Sequence, residues 1–459
     1  MGAIERFVGS LNLPSFLIHI GVTASLAIQS LLIPIINRPV SADWCQCVIF
    51  VLTILGIDQI PGEYWTAASL AVPDANGQTW MDYQGYTLRP SSKMPQTGDL
   101  LVLAGGAQVV TVQERNSMEH LVPVPVDVWA GHIGIILGAE EVEYESTAYY
   151  KIHLLSTNWG VNSKYLGVVG SCYNADESEF LIVKGDKKAN FFYETDPQKM
   201  RERLVNRAER WARLGLMETT GVTMDGFSVT PTGFISHVLR PVGDEPLIPP
   251  IRNIQNELIP IEPQSLIPGD IVQIGEETDP GFGVIIDPGS VTVTRTWTGS
   301  LVYFEPDTRV SAPDQKTARL IGNEWVEADE EGVSQKIKFL RYTGLPGYLL
   351  IPSQEPPQIN LMGGKTRFEL TLGNGGGQPL TVSLLSVDFF RLSEGLEVAS
   401  EKPARYVLQT DDVVFGVGEY RRFNTEINPV KPGSYRVLIN YSAQGDEPNT
   451  AGEILLTVE

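Results

Sequence analysis

The chain repeats itself. Cys47-Val-Ile-Phe-Val51 followed by Ile54-Leu55 returns, position for position, as Pro231-Thr-Gly-Phe-Ile235 followed by Val238-Leu239. Thr97-Gly-Asp-Leu-Leu101 returns as Pro268-Gly-Asp-Ile-Val272, and His132-Ile-Gly-Ile-Ile-Leu137 as Gly281-Phe-Gly-Val-Ile-Ile286. Three echoes in one order predict a duplicated fold, because each stretch must pack against the same kind of neighbour in both copies. At 459 residues the chain is also too long for one hydrophobic core, so several compact units are expected.

Local signals place the elements. Asp43 is a candidate N-cap ahead of an apolar run from Trp44 to Leu55 that Gly56 would stop, which sets Cys47 in the first turns of a helix. Asp99 to Leu103 and His132 to Ile136 are short apolar runs flanked by glycine, as expected of buried strands. Thr195-Asp196-Pro197 supplies cap residues and an early proline before Leu204, Val205, Ala208, Trp211 and Ala212 recur at helical spacing. Pro352, Pro356 and Pro357 mark a stiff linker. Beyond it, Phe368, Leu370 and Leu372, then Tyr435, Val437 and Ile439, alternate with polar residues in the manner of an immunoglobulin-like sandwich. The boundaries expected are an apolar helical segment over 1–40, a first unit over 41–194, a second over 195–346, a linker over 347–358 and a β-sandwich over 359–459.

Composition narrows the partners. With 55 acidic against 34 basic residues the net charge is -21, and no basic cluster could neutralise a run of phosphates, so nucleic acid is not expected. Cys45 and Cys47 stand too close for an ordinary disulfide, and no second close-spaced ligand pair joins them and Cys172 into a zinc site. Neither cofactor nor metal is expected. The apolar stretch from Ile20 to Ile36 precedes Val40-Ser41-Ala42, a possible signal-peptidase site. Glu5 beside Arg6, and Pro34 within the run, favour a retained helix instead, contacting the next domain, a partner assembly or a membrane.

Four segments taken together, Trp44-Cys-Gln-Cys-Val-Ile-Phe-Val51, Pro95-Gln-Thr-Gly-Asp-Leu-Leu101, Gly131-His-Ile-Gly-Ile-Ile136 and Ser156-Thr-Asn-Trp159, resemble the CHAP family, the cysteine, histidine-dependent amidohydrolases/peptidases. The resemblance implies an α+β, papain-like fold that hydrolyses amide bonds in peptidoglycan. It implies Cys47 as nucleophile, His132 as base and Asn158 as the group orienting that base, with oxyanion donors from the Cys47 backbone and the Gln46 amide. Many members carry an acidic residue where this chain has Ser156. The second unit resembles the NlpC-type peptidases through Asp225-Gly-Phe227, Thr232-Gly-Phe-Ile235 and Ile267-Pro-Gly-Asp-Ile-Val272, with Pro231 and Gly281 where that family has its cysteine and histidine; His237 reads as structural.

A cysteine amidase needs a thiolate, a base, a group to hold the base and oxyanion donors. A helix N-terminus and an imidazolium would favour the Cys47 thiolate. Trp65, Trp80, Tyr83 and Trp129 offer flat faces for a groove or, more simply, core. The expectation is a peptidoglycan hydrolase, an endopeptidase or an N-acetylmuramoyl-L-alanine amidase. It would work in a phage tail or injection device, contacting tail or baseplate proteins through residues 1–40 and the C-terminal unit, or outside or in the periplasm at the wall. The rivals are a non-enzymatic structural or adaptor protein and a toxin or processing protease.

Overall fold

The computed structural model describes residues 47–57, 66–90, 93–124, 126, 131–156, 176–215, 217–224, 227–239, 255–275, 280–304, 308–327, 335–352, 357–362, 365–393, 396–397, 403–427, 432–443 and 449–458. Among them no helix is long and apolar enough to cross a membrane; the apolar segment before Cys47 lies outside them.

The chain opens on α1 (Cys47–Leu55), followed by two single turns, α2 (Ala67–Leu70) and α3 (Trp80–Tyr83). The Thr79 hydroxyl accepts from Asp82 N–H while the Asp82 carboxylate accepts from Thr79 N–H, a reciprocal cap for α3. These elements cover an antiparallel sheet of β1 (Tyr86–Leu88), β2 (Leu100–Leu103), β3 (Val109–Arg115), β4 (Met118–Pro123), β5 (His132–Tyr144), β6 (Thr147–Ser156), β7 (Asp176–Val183) and β8 (Ala189–Glu194). Its spatial order is β1-β8-β2-β5-β6-β7-β3-β4. Strand parity divides the sheet: Leu100, Val102, Ile133 and Ile135 pack on α1, while Leu101, Leu103, Ile136 and Leu154 fill the other face.

The eighteen-residue α4 (Pro197–Leu214) starts where Asp196 accepts from Gln198 and Lys199 N–H and ends at Gly215 in the left-handed conformation. The hairpin β9 (Thr219–Met224) and β10 (Phe227–Val229) leads into α5 (Pro231–Leu239). A second antiparallel sheet then holds β11 (Leu258–Pro260), β12 (Ile271–Ile274), β13 (Gly281–Val291), β14 (Thr296–Phe304), β15 (Asp314–Ile321), β16 (Glu324–Glu327) and β17 (Lys336–Tyr342). Its order is β11-β17-β12-β13-β14-β15-β16, and β17 also pairs with β16, closing the six strands from β12 to β17 into a barrel.

The duplication is structural. The order β11-β17-β12-β13-β14-β15 repeats β1-β8-β2-β5-β6-β7, and α1 and α5 are each 9 residues long. Leu103 pairs with His132 as Ile274 pairs with Gly281. Even the turn before the second strand is copied. Gly98 N–H donates to Ile136 O and Gly269 N–H to Ile285 O, both at 2.8 Å. Asp99 Oδ2 accepts from Gln96 N–H at 2.8 Å, and Asp270 Oδ2 from Ile267 N–H at 2.9 Å. Both glycines have positive φ, +89° and +88°, which explains why Gly-Asp survives in each copy.

The C-terminal unit is a sandwich of two antiparallel sheets. One contains β18 (Leu349–Leu350), β19 (Gln358–Met362), β20 (Lys365–Asn374) and β25 (Tyr420–Ile427). The other contains β21 (Leu380–Ser393), β22 (Leu396–Glu397), β23 (Ala404–Gln409), β24 (Val413–Phe415), β26 (Gly433–Ala443) and β27 (Asn449–Val458). Phe368, Leu370 and Leu372 from the first and Val387, Phe389, Val437 and Ile439 from the second share one core.

Buried arginines join the units. Arg207 of α4 donates from Nη1 to Leu55 O at 3.1 Å and from Nε to Val238 O at 2.8 Å, so one guanidinium takes C-terminal carbonyls of both duplicated helices. Burial pulls Arg207 down to about 9, which still leaves it charged at neutral pH.

The α+β, papain-like class expected from the sequence does not hold. Strand accounts for 56% of the described residues and helix for 16%, in several antiparallel sheets and a six-stranded barrel. The excess strand comes from hairpins that gave no local signal. The β3–β4 turn is Asn116-Ser117 and the β5–β6 turn Glu145-Ser146, all four with positive φ. Such tight turns normally advertise themselves with glycine, and here the paired strands hold them.

Candidate functional site

Every described residue of α1 except Cys47, Ile49 and Thr53 is buried, so this helix is held in one rotational setting against β2 and β5. Cys47, at its first described turn, is half-buried. Burial pushes its thiol above the ordinary value, and hydrogen bonds from the backbone at Ile133, Val48 and Cys47 itself only partly offset this.

His132 opens β5 across from Leu103. The glycine before it is required: Gly131 has φ +65°, and a Cβ there would overlap Leu103 O. His132 is 5% exposed, and its Nε2 lies 3.0 Å from Ser156 Oγ, itself wholly buried at the end of β6. Burial lowers His132 from 6.5 to about 3, so the imidazole is neutral at pH 7. The Cys47 thiol reaches the backbone of Ile133 while His132 projects toward Ser156. By strand parity His132 and Ser156 share the face of Leu103 and Leu154, while α1 with Cys47 packs on the face of Ile133 and Ile135.

At rest the Cys47 thiol is protonated and the His132 imidazole is neutral. Burial of both groups works against the expected thiolate favoured by a helix N-terminus and an imidazolium. Gln46 and Asn158, the other two residues assigned from the sequence, lie outside the described residues, as do Cys45, Cys172, Trp65 and Trp129. Trp80 is buried core, and Tyr83 is surface-exposed with its hydroxyl donating to Asp74 at 2.6 Å.

Ser156 is the residue that sequence reasoning passed over, having noted it only where a carboxylate was expected. A signal was available. Ile152, Leu154 and Ser156 alternate on one face of β6, and a serine continuing a buried face needs a partner.

The second copy has the same frame without these groups. Pro231 opens α5, Gly281 opens β13, and the β13–β14 register sets Tyr303 where the first copy has Ser156. A Cβ on Gly281 would overlap the Tyr303 hydroxyl, so the phenol fills the space beside that backbone. His237 is structural: Trp211 Nε1–H donates to its Nδ1 at 3.0 Å in the core.

No family model matches the chain, and no curated protein matches it. Among solved structures it is similar to the sporulation control protein Spo0M of Bacillus subtilis, at 13% identity and TM-score 0.18. That match covers 25% of this chain and 50% of the other. A β-glucosidase of Kluyveromyces marxianus aligns at 11% identity and TM-score 0.15, over 90% of this chain and 56% of the other. The chain thus spans about half the length of each, and likeness at this level carries no functional argument.

Proposed function

We propose that the first unit is a cysteine-dependent amide hydrolase with Cys47 as nucleophile and His132 as base. The observation that carries this reading is the comparison of the two copies. Helix, strands and Gly-Asp turn are kept in both, whereas the chemistry-bearing residues Cys47, His132 and Ser156 give way together to Pro231, Gly281 and Tyr303. The second copy has the same frame without a cysteine, a histidine or a serine at these places, which supports chemistry as the role of the three in the first.

The neutral resting state suits general-base attack. In the tautomer whose Nε2–H donates to Ser156 Oγ, the imidazole would use Nδ1 as the proton acceptor. The thiol gives its proton to His132 as sulfur bonds to the carbonyl carbon. The imidazolium returns it to the leaving amine, and water then cleaves the thioester. Peptidoglycan as substrate, and a place in a phage tail or at the wall, rest on the motif resemblance alone.

A second reading has its own support. Burial of the thiol and imidazole, and the arginines that fasten the units together, suit a non-enzymatic structural or adaptor protein. Release of soluble fragments from purified peptidoglycan of several bacterial types separates the two. Wild type releasing fragments and Cys47→Ala releasing none supports the hydrolase. Folded wild type releasing none from any wall moves the assignment to the structural reading.

A further inference from the structure

The molecule has a second site of interest, away from Cys47. A cavity of about 860 Å3 opens between α4, the turn before β12 and the C-terminal sandwich. Arg201 and Val205 of α4, Thr371 of β20, Tyr348, Tyr420 and Arg422 line it. Its size falls within the range of small-molecule pockets.

Its electrostatics are unbalanced. Arg201 Nη1 donates to Asp270 Oδ1 at 2.9 Å, and Arg341 donates from Nε to Oδ1 at 2.9 Å and from Nη2 to Oδ2 at 2.8 Å. Side-chain exposure is 7% for Arg201, 1% for Arg341 and 0% for Asp270. Two buried guanidiniums thus share one carboxylate, an excess positive charge inside a chain of net charge -21. Buried charge without a counter-ion is costly, and a protein tolerates it where something else supplies the balance. Arg201 also donates from Nη1 to Pro268 O and from Nη2 to Gly375 O and hydrogen-bonds the Tyr348 hydroxyl at the cavity wall, while its buried Nε has no hydrogen-bond partner among the described residues.

The surroundings favour an anion with an apolar body. Of the acids nearby, Glu202 pairs with Lys199 at 2.9 Å and Glu419 with Arg421 at 2.6 Å, so neither answers the excess. Burial raises the phenols of Tyr348 and Tyr420, which keeps them protonated and able to donate. Leu266, Leu350 and Ile351 supply apolar wall.

We propose that this cavity binds a small organic carboxylate carrying a ring or branched apolar body, its charge facing Arg201 and the hydroxyls of Tyr348 and Tyr420. Calorimetric titration of the full chain with benzoate, and with benzamide as its uncharged counterpart, tests it. Saturable binding of benzoate and none of benzamide is expected. Arg201→Gln leaves Asp270 and Arg341 matched one to one, and should weaken benzoate about tenfold through loss of a charge-assisted contact. Val205→Trp fills the cavity from α4 without touching the charges and should abolish binding, so it serves if Arg201→Gln does not fold. No saturable benzoate binding up to roughly 50 mM, far beyond the millimolar range of weak ligands, overturns the proposal. So does equal binding of benzamide, or benzoate affinity unmoved in the variants.

Discussion

His132 Nε2 stands 3.0 Å from Ser156 Oγ in the first copy, and at the matching places of the second copy Gly281 lies against Tyr303. The second copy has no side chain where the first has His132 and a larger one where the first has Ser156, so the space left on one strand is filled from the next.

This exchange should show as coupling. Gly281→Ala forces a Cβ into the Tyr303 ring and should cost about 2 kcal/mol or more in urea unfolding, as overpacking does. In a Tyr303→Ser background the same change should cost far less. A double-mutant cycle with no interaction energy would sink the account.

Burial of His132 makes a prediction about pH. Its folded value of about 3 lies below the ordinary 6.5, so between those limits the unfolded chain binds a proton that the folded chain refuses. The contribution is complete above pH 6.5 and falls as the pH drops, by about 1.4 kcal/mol per unit. Between pH 7 and 4.5, wild type should therefore lose about 2–3 kcal/mol more than His132→Gln. Equal losses would refute it.

The raised Cys47 thiol should be slow to alkylate. At pH 8, iodoacetamide should label Cys47 in folded protein at least about tenfold more slowly than after urea unfolding, since less thiolate is present and the side chain is half-buried. Peptide mass spectrometry reads the rates, and faster labelling of the folded chain would restore the activated-thiolate picture.

If the first unit hydrolyses amides, Ser156→Ala should lower kcat on the order of tenfold or more with KM little changed, because it loosens the base and not the substrate. A loss of stability with unaltered kcat would make Ser156 merely structural.

Asp270 carries the junction of the second copy with the sandwich. Burial would raise its carboxyl, and Arg341 and Arg201 together outweigh burial and hold it below the usual range. Asp270→Asn strands two buried guanidiniums and should cost roughly 3–5 kcal/mol. Its wild-type contribution is present above the unfolded carboxyl range and lost as the pH falls below it.

Much of the frame was legible in the sequence because its causes are local or repetitive. Asp196 and Pro197 announce α4, the echo of Cys47–Leu55 in Pro231–Leu239 announces a second helix of the same length, and the Gly-Asp turns announce a copied strand entry. The strand-rich class was not legible. Asn116 suits a left-handed turn, but Ser117, Glu145 and Ser146 adopt that conformation because paired strands hold them.

By itself the sequence determined that the chain is built twice on one pattern and that Cys47 and His132 stand in one copy where the other has Pro231 and Gly281. Tertiary structure alone decided their state and their company. Desolvation, a property of everything packed around a group, leaves thiol and imidazole neutral. The β5–β6 register, set by pairing along whole strands, brings Ser156 to His132. The meeting of Arg201, on the cavity wall, with Arg341 and Asp270 behind it joins residues too far apart in the chain for any local pattern to reveal.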